Sequence, residues 1–160
     1  ARIIATSCGL AVLLQKFLSR SVQATVLTSA LIAIPLLKTV YSGEGRIGVI
    51  TSDSQLLNSK HLAAAGVKPT EVIIHGLENV TPFYEGILKG KQSTFKEVTR
   101  AVVKSCQSLI RQHTSLKVLV LECSNLHPYI DSIGRYTSLP VIDLVSLINF
   151  FAAEYVHSKS

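Results

Sequence analysis

Arg46-Ile47-Gly48-Val49-Ile50-Thr51 is the stretch on which the reading of the fold turns. From Ile47 to Ile50 it holds no polar side chain, and it closes on a hydroxyl. A short apolar run bounded by turn residues reads as a β-strand buried on both faces. Downstream, Ser54 to Ala65 has helical spacing with Gly66 as terminator, and Glu71-Val72-Ile73-Ile74-His75 is another strand. Gly76 to Lys91, with Pro82, Gly86 and Gly90, reads as a flexible loop. A helix starts at Ser93-Thr94-Phe95-Lys96-Glu97 and runs to about His113. Leu116 to Leu121 is the most hydrophobic strand, followed by a short helix over Pro128 to Tyr136, a strand over Leu139 to Leu144 and a closing helix over Val145 to His157.

Upstream, Arg2-Ile3-Ile4-Ala5-Thr6 reads as a short buried strand. Leu10 to Arg20 reads as a helix whose apolar face holds Val12, Leu13, Leu14, Phe17 and Leu18. Ala24 to Thr28 is a strand, and Ala30 to Tyr41 a helix that Pro35 bends. Gly43-Glu44-Gly45 is the clearest break. Strands alternating with helices make an α/β chain with a parallel sheet and right-handed crossovers. In open parallel sheets, ligands bind at the carboxyl ends of the strands. Thr6-Ser7-Cys8, Thr28-Ser29, Thr51-Ser52 and Cys123-Ser124-Asn125 all fall at such ends.

The bulk numbers narrow the function. The 160 residues are 48% hydrophobic, yet the apolar residues come in short runs, and the richest, Ala30 to Leu37, contains Pro35. No membrane span is expected. The formal charge of +6 is spread out, and its densest piece, Lys89 to Lys96, lacks the interleaved aromatics of a single-strand platform, so no nucleic-acid partner is expected. Three widely spaced cysteines make no disulfide framework, and no secretory leader is visible, which points to a cytoplasmic setting. There is no Cys-x-x-Cys, and the five histidines are scattered, so no metal is expected. Neither a phosphate-binding glycine loop nor a Gly-x-Ser-x-Gly elbow occurs.

Cysteine chemistry is what remains. Cys8 and Cys123 each follow a strand, precede a helical pattern and have small polar neighbours. A lone cysteine is most often a small buried hydrophobe; two in matched contexts favour function. Helix N-termini are expected to lower their pKa values. Cys106 is the contrast, since it shares a helix face with Phe95, Val98, Val102 and Leu109 and reads as core. His127, four residues after Cys123, is weighed equally as a site neighbour and as a packing residue.

Ile4-Ala5-Thr6-Ser7-Cys8-Gly9, Arg46 to Thr51, and Leu121-Glu122-Cys123-Ser124-Asn125-Leu126-His127-Pro128-Tyr129 together resemble the aspartate/glutamate racemase superfamily. The nearest likeness is to a branch with paired Thr-Ser-Cys-Gly and Leu-Glu-Cys-Ser-Asn motifs. The resemblance spans essentially the whole chain. It implies two pseudo-symmetric parallel-sheet lobes with helices on both faces, the first formed by residues 1–44 with 145–160 and incomplete, the second by residues 45–144. Family members carry a strand and helices before the first cysteine, which this chain is expected to lack.

The resemblance also implies a site between the lobes, without cofactor, with Cys8 and Cys123 as catalytic thiols. Ser7, Gly9, Thr51, Ser52, Ser124 and Asn125 are the expected substrate-binding residues. Well-studied racemases usually have Asn-Thr where this chain has Gly9-Leu10, and Thr-Glu or Thr-His where it has Ser124-Asn125. The expected activity is racemisation or epimerisation of an acidic amino acid or related carboxylate. One thiolate removes the α-proton and the other thiol delivers a proton to the opposite face. The alternative is a non-catalytic module binding a small anion or partner. A thiol redox protein ranks third, for want of a resolving cysteine. An unpaired strand edge near Arg2 to Thr6 makes homodimerisation an expectation as well.

Overall fold

The computed structural model describes residues 1–43 and 45–157; Glu44, in the expected break, lies outside them. Four parallel strands form one sheet in the order β4-β3-β5-β6: β3 (Ile47–Thr51), β4 (Ile73–Gly76), β5 (Val118–Leu121) and β6 (Val141–Ile142). A separate two-stranded parallel sheet pairs β1 (Ile3–Ala5) with β2 (Thr25–Leu27), Ile3 opposite Thr25. Between them run α1 (Gln15–Ser21), α2 (Ile34–Val40), α3 (Ser59–Ala64), a three-residue α4 (Thr81–Phe83), α5 (Phe95–Gln112), α6 (Ile130–Thr137) and α7 (Leu144–His157).

The β3 run is buried on both faces, as its composition predicts. Because side chains alternate along a strand, Ile47 and Val49, with Val118 and Val120 of β5, join one core holding Leu31, Ile34 and Leu62. Ile50, Leu119 and Leu121 point the other way, into a core with Val98, Val102, Cys106, Leu126 and Ile133. Each such side chain, fully buried, stabilises the fold by about 1.5–3 kcal/mol. The first core also draws in Val12 and Ala30 from the β1–β2 region, so the two sheets share packing. α7 lies against β1 and β2, where Tyr155 shares a 2.7 Å hydrogen bond with Thr25.

Several expectations need correction. β1 is not buried: Ile4 is 39% exposed. The helix after it begins as a 3₁₀ segment (Gly9–Leu14), and of its expected apolar face only Val12 is buried and Leu18 half-buried, with Phe17 69% exposed. Pro35 does not bend a helix; it sits in the first turn of α2, where its missing N–H is harmless. α3 starts later than expected, where the Asn58 side chain accepts from the Lys60 N–H at 3.0 Å, and Gly66, at φ +74°, follows its end. The expected loop over Gly76 to Lys91 is instead partly helical, α4 leading into a π-helical turn (Tyr84–Leu88), and is anchored by the fully buried Leu77 and Phe83. Phe95 leaves the core face of α5 and stacks on Tyr129 at 5.1 Å. α5 itself begins as expected, with Thr94 and Glu97 capping each other. Among the described residues no helix is long and apolar enough to cross a membrane.

Candidate active site

The carboxyl ends of β1, β3, β5 and β6 converge. After β1, Thr6 Oγ1 donates to the carbonyls of Thr28 (2.7 Å) and Cys8 (3.1 Å), tying the chain down before it turns into the 3₁₀ segment that Cys8 precedes. After β5, Cys123 likewise precedes a 3₁₀ segment (Ser124–Tyr129) that runs into α6. The two turns touch. Ser124 Oγ donates to the Ser7 carbonyl, and Gly9 lies directly on Glu122. A β-carbon at Gly9 would approach Glu122 Cδ to 2.9 Å and its carbonyl oxygen and Oε1 more closely still. Gly9 has no positive φ, so this close approach is what requires the missing side chain.

The expected site residues thus share one edge of the molecule. Cys8, Ser7 and Asn125 are exposed; Cys123, Ser52 and Ser124 are half-buried; Gly9 and Thr51 are buried. Cys8 is close enough that its charge raises the pKa of Cys123. Burial is the larger cause, and the neighbouring Glu122 adds to it; the Asn125 N–H and the Ser52 hydroxyl, both donating to the sulfur, pull the other way. The expectation that a helix N-terminus lowers this thiol's pKa is therefore overturned. A short 3₁₀ turn offers little dipole to offset desolvation. Gly9 serves close packing, and the Thr51 hydroxyl hydrogen goes to Glu122 Oε2 at 2.7 Å rather than to the cleft. Cys106 is fully buried, with its thiol pushed up to about 12 by desolvation, as a core residue should be.

Two features went unassigned in the sequence. Glu122 is a buried carboxyl whose pKa is raised by desolvation, Thr51 partly offsetting it. Its signal was a carboxylate ending an otherwise apolar strand. His127 Nδ1 lies 2.5 Å from Asp143 Oδ2, while Asp143 Oδ1 accepts from the N–H (2.8 Å) and hydroxyl (2.7 Å) of Ser146 at the start of α7. A carboxylate there accepts a hydrogen bond from Nδ1–H, and the imidazole is 46% exposed. Among the described residues no three His, Cys, Asp or Glu side chains are grouped to hold a metal ion.

No family model matches the chain. Among solved structures it superposes on glutamate racemase isoform RacE1 from Bacillus anthracis with a TM-score of 0.58 at 15% identity, covering 99% of this chain and 59% of that one. Allantoin racemase from Klebsiella pneumoniae gives a TM-score of 0.60 at 15% identity, over 98% of this chain and 60% of that one. The fold is aspartate/glutamate racemase-like. In sequence, the chain is similar to curated lyases. It is 26% identical to a dimethylsulfoniopropionate lyase of Durusdinium sp. clade D, over 96% of this chain and 52% of that protein. It is 27% identical to dimethylsulfoniopropionate lyase 3 of Emiliania huxleyi, over 94% of this chain and 41% of that protein. The chain thus spans about half the length of the curated relatives it matches.

Proposed function

We propose that this chain carries the cysteine pair of a cofactor-independent enzyme that removes the proton α to the carboxylate of a small acid. The observation that supports it is the meeting of the Cys8 and Cys123 turns at one polar edge. A thiolate takes the α-proton, and the electron pair moves toward the carboxylate, where hydrogen-bond donors stabilise it. Ser7, Ser52, Ser124 and Asn125 are the candidates for that role. Thr51 acts through Glu122.

Of the two fates open to that electron pair, elimination is our first reading, favoured by the lyase relatives along nearly the whole chain. For a carboxylate with a β-sulfonio group, the pair forms a carbon–carbon double bond as the carbon–sulfur bond breaks. A neutral sulfide leaves, and the thiol later returns its proton to water. Racemisation is the second reading; two thiols carried on touching turns favour it, since inversion needs an acid and a base on opposite sides of the carbon.

The test uses the natural full-length protein in deuterated water, with dimethylsulfoniopropionate and both enantiomers of aspartate and glutamate. Proton NMR follows α-deuteration, and headspace analysis follows dimethyl sulfide. Release of the sulfide, abolished in Cys8→Ser or Cys123→Ser, supports elimination. Deuteration with inversion of an amino acid, lost in either variant, supports racemisation. Turnover that survives in the doubly substituted protein overturns the cysteine mechanism. Absence of exchange with every substrate favours the non-catalytic binding module.

A further inference from the structure

Glu122 is a buried carboxyl that α-proton transfer does not itself call for, placed where the two thiol-bearing turns meet. We propose that Glu122 is the positioning residue of the cysteine pair: clamped by Thr51 beneath Gly9, it fixes the Cys8 turn against the Cys123 turn and makes the two thiols unequal. The inference rests on the α-proton-transfer reading and gives a role to a residue that need not touch substrate.

Three observations carry it. The Glu122 N–H donates to the Ile50 carbonyl at 2.8 Å, and Thr51 Oγ1 donates to Glu122 Oε2 at 2.7 Å, so its backbone and carboxyl are both fastened to the end of β3. Its carboxyl and carbonyl form the floor on which Gly9 rests, one residue after Cys8. Among the described residues it has no cationic partner. A buried carboxyl without a cation costs stability, and such groups concentrate at functional sites.

The carboxyl acts on one thiol more than on the other. Cys123 is its covalent neighbour and is half-buried, whereas Cys8 is exposed to solvent that screens charge. The groups that act on Cys123 are Glu122, Cys8, the Ser52 hydroxyl and the Asn125 N–H; His127 and Asp143, from the adjoining turn and strand end, are engaged with each other. Once ionised, Glu122 opposes a second negative charge beside it. Ionisation of Cys123 is thereby opposed, which suits it to the proton-donating role in the pair.

The experiment measures thiol reactivity without substrate. The natural full-length protein and its Glu122→Gln and Glu122→Asp variants are alkylated with iodoacetamide across a pH series, and modification of Cys123 is read at the peptide level by mass spectrometry. Gln keeps the shape and removes the charge, so Cys123 alkylation below its midpoint rises by about threefold or more and the midpoint moves to lower pH. Asp keeps the charge and loses the reach to Thr51, so its midpoint stays near that of the wild type. An unmoved midpoint in Glu122→Gln, or an equal shift in Glu122→Asp, overturns the proposal. If Glu122→Gln does not fold, the pair Glu122→Met with Thr51→Val removes charge and donor together and carries the same measurement. Failure here leaves α-proton transfer standing, and absence of turnover in the wild type leaves this measurement valid.

Discussion

Replacing Gly9 with alanine tests whether contact between the two turns sets the site. The added methyl would fall under 3.0 Å from three atoms of Glu122, its carbonyl oxygen, Oε1 and Cδ. The carbonyl cannot rotate away as a side chain can, because Glu122 is held between β5 and the turn at Cys123. Restoring the 3.4–4 Å of ordinary van der Waals contact drives the Cys8 turn off Glu122 by roughly 1 Å. Overpacking of this kind costs about 1–3 kcal/mol, or about 2–4 °C of melting temperature per kcal/mol at this size. A displacement of roughly 1 Å at reacting groups costs on the order of 100-fold in rate. The control is Gly134→Ala in α6, where the new methyl meets nothing nearer than 3.7 Å. There alanine is expected to stabilise by about 0.5–1 kcal/mol. Thermal unfolding and turnover of both variants are the assays. A Gly9→Ala protein as stable and as active as the wild type would refute the steric argument.

Two further outcomes follow from burial. Cys106→Ser is expected to leave turnover unchanged and to cost about 1–3 kcal/mol for a buried hydroxyl without a partner, measured by denaturant unfolding; in the wild type, Cys106 should resist alkylation until the fold opens. Glu122 has its pKa raised by desolvation, so the native state holds a proton that the unfolded chain has already released. Stability therefore falls as pH rises from the ordinary carboxyl range to the raised value and levels off above it. Glu122→Gln removes that loss, so its stability relative to the wild type should grow across this window. A difference that stays constant with pH, or shrinks as pH rises, refutes the assignment.

β3 and β5 were legible because each is apolar on both faces, the pattern of a covered parallel strand. The helix over Leu10 to Arg20 was legible as apolar but not as uncovered. Periodicity says which face is greasy, while Leu13, Leu14 and Phe17 show that nothing described here packs on it. Pro82, Gly86 and Gly90 look like breakers in sequence, yet Pro82 lies in the first turn of α4, a position it suits, and Leu77 and Phe83 anchor the segment. The strand-end cysteines were readable from their polar neighbours. The Glu122 clamp was not, because the Thr51 and Gly9 contacts join residues far apart in the chain.

The inequality of the two thiols bears on which reaction the site suits. Racemisation runs in both directions, so each thiol must serve as base toward one enantiomer and as acid toward the other, and balanced surroundings serve that best. Here one thiol is exposed at the end of a two-stranded sheet, and the other is half-buried beside a buried carboxyl that opposes its ionisation. Elimination makes a weaker demand. One base removes one proton, the departing group carries off the electron pair, and the second thiol has only to remain protonated near the carboxylate. A Glu122 that opposes ionisation of Cys123 is compatible with that reaction and a handicap for two-way inversion. If Glu122→Gln moved Cys123 toward easier ionisation, it should slow elimination less than it evens out any α-proton exchange between enantiomers. Equal exchange rates for both enantiomers in the wild-type protein would show the thiols already balanced, and the preference for elimination would lose its structural support.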